Sequence, residues 1–161
     1  MNSNVVVALC GALLDRGIAT LRFNFRGTGG SGGAFDGGIG EREDARAALS
    51  ALGEAEGVDP ARLGLAGYSF GAGVAASVAA GDDRVRALAA ISVPPSHVDA
   101  SSLALCKAPK LFVTGDSDPY VAVPALRALV DRLSPAQLLV VPGADHFWYE
   151  ADLEMTRDVA T

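Results

Sequence analysis

Apolar residues recur at three- and four-residue steps through Val5, Val6, Leu9, Leu13 and Leu14, the spacing of one helix face. Asn2 or Ser3 is placed to cap its start and Gly17 to stop it in the left-handed conformation. Residues 18–25 are rich in β-formers and run into Gly27-Thr28-Gly29-Gly30-Ser31-Gly32-Gly33, a segment too glycine-rich for a packed element. The pattern there predicts a strand followed by a flexible loop. The helical period returns over 41–56, where Ala45, Ala48, Leu49, Leu52 and Ala55 form one stripe. Glu41, Arg42, Glu43, Arg46 and Glu54 lie mostly outside that stripe, and Gly57 ends the helix. Further strands are predicted at 62–66, 85–93, 110–114 and 137–141, with helices at 72–80, 123–133 and 150–159. The near-continuous apolar run at 85–93 suits a strand covered on both faces, and Pro94 and Pro95 stop it. Strands alternating with helices predict an α/β fold, a mostly parallel sheet with helices on both faces.

Length and charge narrow the picture. The 161 residues, half of them apolar and 20% charged, read as one globular domain spanning 1–161. A net charge of −6 is the wrong sign for a binder of phosphate backbones, so no nucleic-acid partner is expected. No apolar run approaches the roughly 20 residues of a membrane span. The first four residues carry no basic stretch of the kind that opens a signal peptide. Cys10 and Cys106 lack the spacing of a metal site or redox pair and read as buried thiols in a reducing, cytoplasmic compartment.

The chemistry concentrates in Gly67-Tyr68-Ser69-Phe70-Gly71, a G-x-S-x-G sequence lying between a predicted strand and a predicted helix. Such a sharp turn leaves no room for side chains two residues either side of the serine. It lifts the Ser69 hydroxyl to the carboxyl edge of the sheet and aims the Phe70 backbone N–H at a developing oxyanion. A serine needs a base and an acid. His146, just beyond the strand at 137–141, is the expected base, and His97, in a proline-rich loop, the expected surface residue. Asp118, three residues past the glycine of Gly115-Asp116-Ser117-Asp118, is preferred as the acid. Asp116 is expected to shape the turn, and Asp145 to be a solvated loop charge. The order Ser69, Asp118, His146 is that of α/β-hydrolases. Tyr68, Phe147, Trp148 and Tyr149 are candidates to line a substrate pocket or to pack in the core. No cluster of metal ligands is visible, and neither metal nor organic cofactor is expected.

These segments resemble the α/β-hydrolase superfamily, in particular its small lidless bacterial members of the dienelactone-hydrolase-like type. The elbow at 67–71, the stretch 111–118 and Gly143-Ala144-Asp145-His146-Phe147 carry the resemblance, and residues 21–31 look like the strand and Arg-Gly-x-Gly loop ahead of the elbow. The resemblance implies a serine carboxylesterase acting through an acyl-enzyme, and supports Asp118 over Asp116. In that family a loop ahead of the first helix supplies the second oxyanion N–H, and the matching segments here begin at or just before that helix. We therefore expect residues 18–25 to pair directly with 62–66, bringing the loop at Gly27 beside Ser69 as a substitute donor. If the preceding strands are absent, exposed edges favour a homodimer.

Residues 94–108 are too few for a helical lid, so short-chain or exposed small-molecule esters are the expected substrates, thioesters and amides being open to the same triad. Two other readings compete. Gly27-Thr28-Gly29-Gly30-Ser31-Gly32 also fits a dinucleotide fingerprint, but it opens into no helix and lacks the acid at the end of a next strand. The second alternative is a catalytically impaired α/β-hydrolase domain completed by a partner chain.

Overall fold

The computed structural model describes residues 3–149 and 159. The chain opens with helix α1 (Asn4–Leu14), whose first turn is capped by the Ser3 hydroxyl accepting the Val6 N–H. Helix α2 (Ile39–Gly53) follows a long irregular stretch, and then come β1 (Leu63–Tyr68), α3 (Phe70–Ala79), β2 (Val85–Ile91), the single turn α4 (Ala100–Leu103), β3 (Lys110–Gly115), α5 (Val123–Val130) and β4 (Ala136–Val141). The helix expected at 150–159 lies, but for Val159, outside the described residues.

The four strands among the described residues are all parallel, and their order in the sheet is their order in the chain. A right-handed crossover repeated in one direction puts every connecting helix on the same face. Accordingly α3, α4 and α5 pack with α2 in one core cluster, where Leu88, Ala90 and Phe112 point. The alternate residues Ile91, Val113 and Val141 point to the opposite face, where Val5 and Leu9 of α1 and Trp148 cover them. The two-residue period of the strands thus sorts the apolar side chains between two layers. Helix α3 lies close against β1 and β2 because its packed positions are small: Ala72, Gly73, Ala75, Ala76 and Ala79 are all buried.

The strand expected at 18–25 does not form. Among the described residues β1 pairs with β2 alone, and 18–25 is irregular. Ladder bonds need a neighbour in register, and β propensity measures fit to a pleated surface that this segment lacks. Aromatic contacts hold it instead. Phe25 meets Phe23 and Phe70 edge-on, at centroid distances of 5.2 and 5.8 Å. The expected pairing with 62–66 is therefore wrong.

Glu41 also departs from expectation. Although charged, it is fully buried at the start of α2. Its Oε1 accepts the Asp36 N–H at 2.9 Å and its Oε2 the Gly38 N–H at 2.7 Å, closing the turn into the helix. One turn further on, Asp44 takes the Arg26 side chain at 2.7 Å and the Arg26 backbone N–H at 2.9 Å, which straps the glycine-rich loop to α2. A Cβ at Gly40 would overlap the Arg26 guanidinium, so a side chain there would displace the strap. Burial on its own would raise the Glu41 carboxyl, but backbone N–H groups and the Arg26 charge hold it below the ordinary carboxylate range. A depressed carboxylate stabilises the fold above its unfolded pKa, and that contribution is lost as pH falls through the folded value. The advantage of the native chain over Glu41→Gln in thermal unfolding is thus expected to be full at pH 7 and to shrink below about pH 4. An advantage independent of pH would contradict this account.

Candidate active site

At the carboxyl end of β1 the chain reverses into α3 through Ser69. Ser69 adopts φ 52° and ψ −117°, a conformation costly for a non-glycine residue and commonest where function demands it. The surroundings over-determine it. The Ser69 N–H donates to the Ile91 carbonyl at 2.9 Å, and the Ser69 carbonyl accepts the Ala72 N–H at 3.0 Å. A Cβ at Gly67 would collide with the Gly71 backbone and come within 2.7 Å of the Ala72 Cα, so the first glycine of the motif is sterically obligatory. Phe70 is the first residue of α3, and its N–H belongs to the opening turn, where a helix offers no acceptor of its own.

The ends of β3 and β4 bring in the other two groups. Past Gly115 the chain turns so that Asp118, buried, presents Oδ2 to His146 Nδ1 at 2.8 Å, while its Oδ1 accepts the Tyr120 N–H at 2.9 Å. On the far side of the same ring, His146 Nε2 lies 3.0 Å from Ser69 Oγ. Ser69, His146 and Asp118 are thus joined in one hydrogen-bonded chain. The loops after β3 and β4 are in backbone contact: the Ser117 N–H donates to the Ala144 carbonyl at 3.1 Å, and a Cβ at Gly115 would overlap that same carbonyl.

Other expected residues are placed differently. Asp116 does shape the turn, accepting the Gly143 N–H at 2.7 Å. Asp145 is no mere solvated charge, since its Oδ1 accepts the Phe147 and Trp148 N–H groups, both at 2.9 Å. Trp148 is fully buried in the α1-side core and donates its indole N–H to Ser92 Oγ at 2.9 Å. It is therefore unavailable as a pocket wall. The Gly27 N–H donates to the Gly32 carbonyl at 3.0 Å, inside its own loop, and so is not a free oxyanion donor. Phe147 is exposed with its ring 5.7 Å from that of His146, and His97 is exposed in a short turn over α3. Sequence reasoning missed Tyr120, whose ring meets the His146 imidazole edge-on at 4.8 Å. Its signal was its place two residues after Asp118. Among the described residues, no group of three His, Cys, Asp or Glu side chains converges to hold a metal ion.

A model of the X-Pro dipeptidyl-peptidase (S15) family matches residues 2–118. The chain belongs to this family of α/β serine hydrolases. This S15-family chain is 38% identical to an uncharacterised protein of Rickettsia prowazekii, matching over 99% of its own length and 70% of that protein's. It spans 58% of a 30% identical protein of Mycobacterium tuberculosis. Among solved structures it is similar to an α/β serine hydrolase homologue from Coxiella burnetii, with a TM-score of 0.90 and 37% identity over 99% of this chain and 76% of that one. It is also similar to a lidless α/β serine hydrolase from Xanthomonas campestris, with a TM-score of 0.86 and 31% identity over 99% and 72% of the two chains. No helix among the described residues is long and apolar enough to cross a membrane.

Proposed function

We propose that the protein is a serine esterase that cleaves short-chain or exposed carboxylic esters through Ser69, His146 and Asp118. The observation that carries this reading is the continuous chain Ser69 Oγ, His146 Nε2, His146 Nδ1, Asp118 Oδ2, with links of 3.0 and 2.8 Å. Ser69 Oγ attacks the ester carbonyl as His146 takes its proton. Asp118 fixes the imidazole tautomer and stabilises the imidazolium, and the Phe70 N–H at the head of α3 receives the oxyanion. His146 then passes its proton to the leaving alcohol and activates the water that releases the acid.

Substrate size is read from the cover over the site. The segment 94–108 folds into one short turn at Pro95–His97 and α4, whose four residues cannot roof a long acyl chain. Small esters reaching Ser69 past Tyr120 and Phe147 fit this open setting. Cys10 and Cys106 are free thiols, half-buried rather than buried as expected, in keeping with the reducing, cytoplasmic setting proposed here. The match to X-Pro dipeptidyl-peptidases favours a second reading, amide hydrolysis after proline, by the same three residues.

One experiment tests both. The chain is treated with a fluorophosphonate probe and assayed with p-nitrophenyl acetate and with Ala-Pro-p-nitroanilide. Stoichiometric labelling of Ser69 with an acyl-enzyme burst on the acetate is the expected result. Turnover of the anilide alone would replace the esterase reading with the peptidase one. An unlabelled Ser69 would remove both.

A further inference from the structure

Ser69 and His146 lie 77 residues apart in the chain, yet a single side chain touches the elements carrying both. Tyr68 ends β1 and is the peptide neighbour of Ser69. Its hydroxyl donates to the His146 carbonyl at 2.7 Å, and its ring lies against the imidazole, with centroids 5.4 Å apart and planes inclined by 37°. We propose that Tyr68 is a positioning residue, whose hydroxyl ties the His146 backbone to the nucleophile's own strand and so sets the distance between His146 Nε2 and Ser69 Oγ. The inference rests on the reading of Ser69, His146 and Asp118 as the reacting groups.

The other anchors of the His146 loop leave this task undone. Asp116 and Ser117 hold residues 143 and 144, and Asp118 holds the imidazole Nδ1; all three belong to the loop after β3. Trp148 reaches Ser92, just past the end of β2, and the Phe147 carbonyl accepts the Asn4 side-chain amide of α1 at 2.7 Å. Asp118 at Nδ1 and the Tyr120 and Phe147 rings hold the imidazole itself but leave the His146 backbone untied to β1, so a shift of that backbone can still carry Nε2 away from the serine. The tie to β1 comes from Tyr68, and it acts on the backbone of the base itself. Its hydroxyl is kept as a donor, because burial and then the nearby Asp118 and Asp145 carboxylates raise its pKa above the ordinary tyrosine value. Spent on a main-chain carbonyl, that hydroxyl is not aimed at substrate, which separates this role from the pocket-lining one expected from sequence.

The test compares the native chain with Tyr68→Phe and Tyr68→3-fluorotyrosine, using p-nitrophenyl acetate kinetics, thermal unfolding and the proton NMR signal of His146 Nδ1–H. Displacement of a reacting group by about 1 Å can cost up to roughly a hundredfold in rate. Tyr68→Phe is therefore expected to lower kcat by about ten- to a hundredfold with KM unchanged, and to broaden the Nδ1–H signal. The fluorinated variant, which keeps the hydroxyl, is expected to restore both. Native kcat in Tyr68→Phe would overturn the inference, as would a raised KM at native kcat, the mark of a substrate contact. If Tyr68→Phe loses its cooperative unfolding, the fluorinated variant decides: the inference requires it to keep native kcat and a sharp Nδ1–H signal. Ser69→Ala separates the two levels. An inactive Ser69→Ala beside a fully active Tyr68→Phe sinks this inference alone, whereas an active Ser69→Ala sinks the reading beneath it.

Discussion

Ser69→Ala is expected to lower kcat for ester hydrolysis by about 10⁶-fold while leaving the unfolding temperature close to native. The activity loss follows from removal of the atom that forms the acyl bond. Stability is spared because the Ser69 side chain makes its hydrogen bond to His146 alone, and the unusual backbone at φ 52° is held by main-chain contacts that alanine preserves. His146→Ala is expected to cost nearly as much, and the double variant little more than either, because base and nucleophile act as a unit. Steady-state kinetics with circular dichroism melting check all three. Multiplicative losses in the double variant would mean that the two residues do not work together.

The second large effect is expected from a residue that carries no chemistry. Gly115→Ala puts a methyl group into the Ala144 carbonyl, a backbone atom in the loop that bears His146. Neither loop can yield cheaply. One is pinned through Asp118 to His146, and the other through Gly143 to Asp116 and through Trp148 to Ser92. We expect a loss of about 3 kcal/mol of stability from overpacking and, in the fraction that stays folded, roughly a hundredfold loss in kcat as acid and base move apart. Urea unfolding and single-turnover acylation measure the two parts separately. A stable variant with native acylation would show that the contact between the loops is slack.

Most of the parallel architecture was legible because each βα unit announces itself twice, through an apolar run and through the glycine or proline that ends it. Ser69, Asp118 and His146 were legible for a related reason: each follows a strand that the pattern marks, so all three had to lie at one edge of the sheet. The remainder depended on partners that local sequence does not name. Residues 18–25 have the composition of a strand, but pairing is a property of two segments, and among the described residues no strand of the sheet pairs with them. Glu41 reads as a solvated helix charge until two backbone N–H groups converge on it. Trp148 follows His146 closely and so suggests a pocket wall, yet a φ of 60° turns it into the core. The Tyr68 bond spans 78 residues and has no local signature at all.

The placement of the three groups just past the ends of separate strands also bears on when the protein can act. During synthesis, Ser69 leaves the ribosome 77 residues ahead of His146, an interval of about 4–15 s at ordinary elongation rates. Through that interval the elbow is a serine without a base. If Ser69 and His146 act as proposed, reactivity arises only when β4 docks beside β3 and carries the imidazole to the edge of the sheet. On the proposed esterase reading, a nascent or partly unfolded chain is therefore chemically silent towards esters, and the appearance of activity reports the docking of β4.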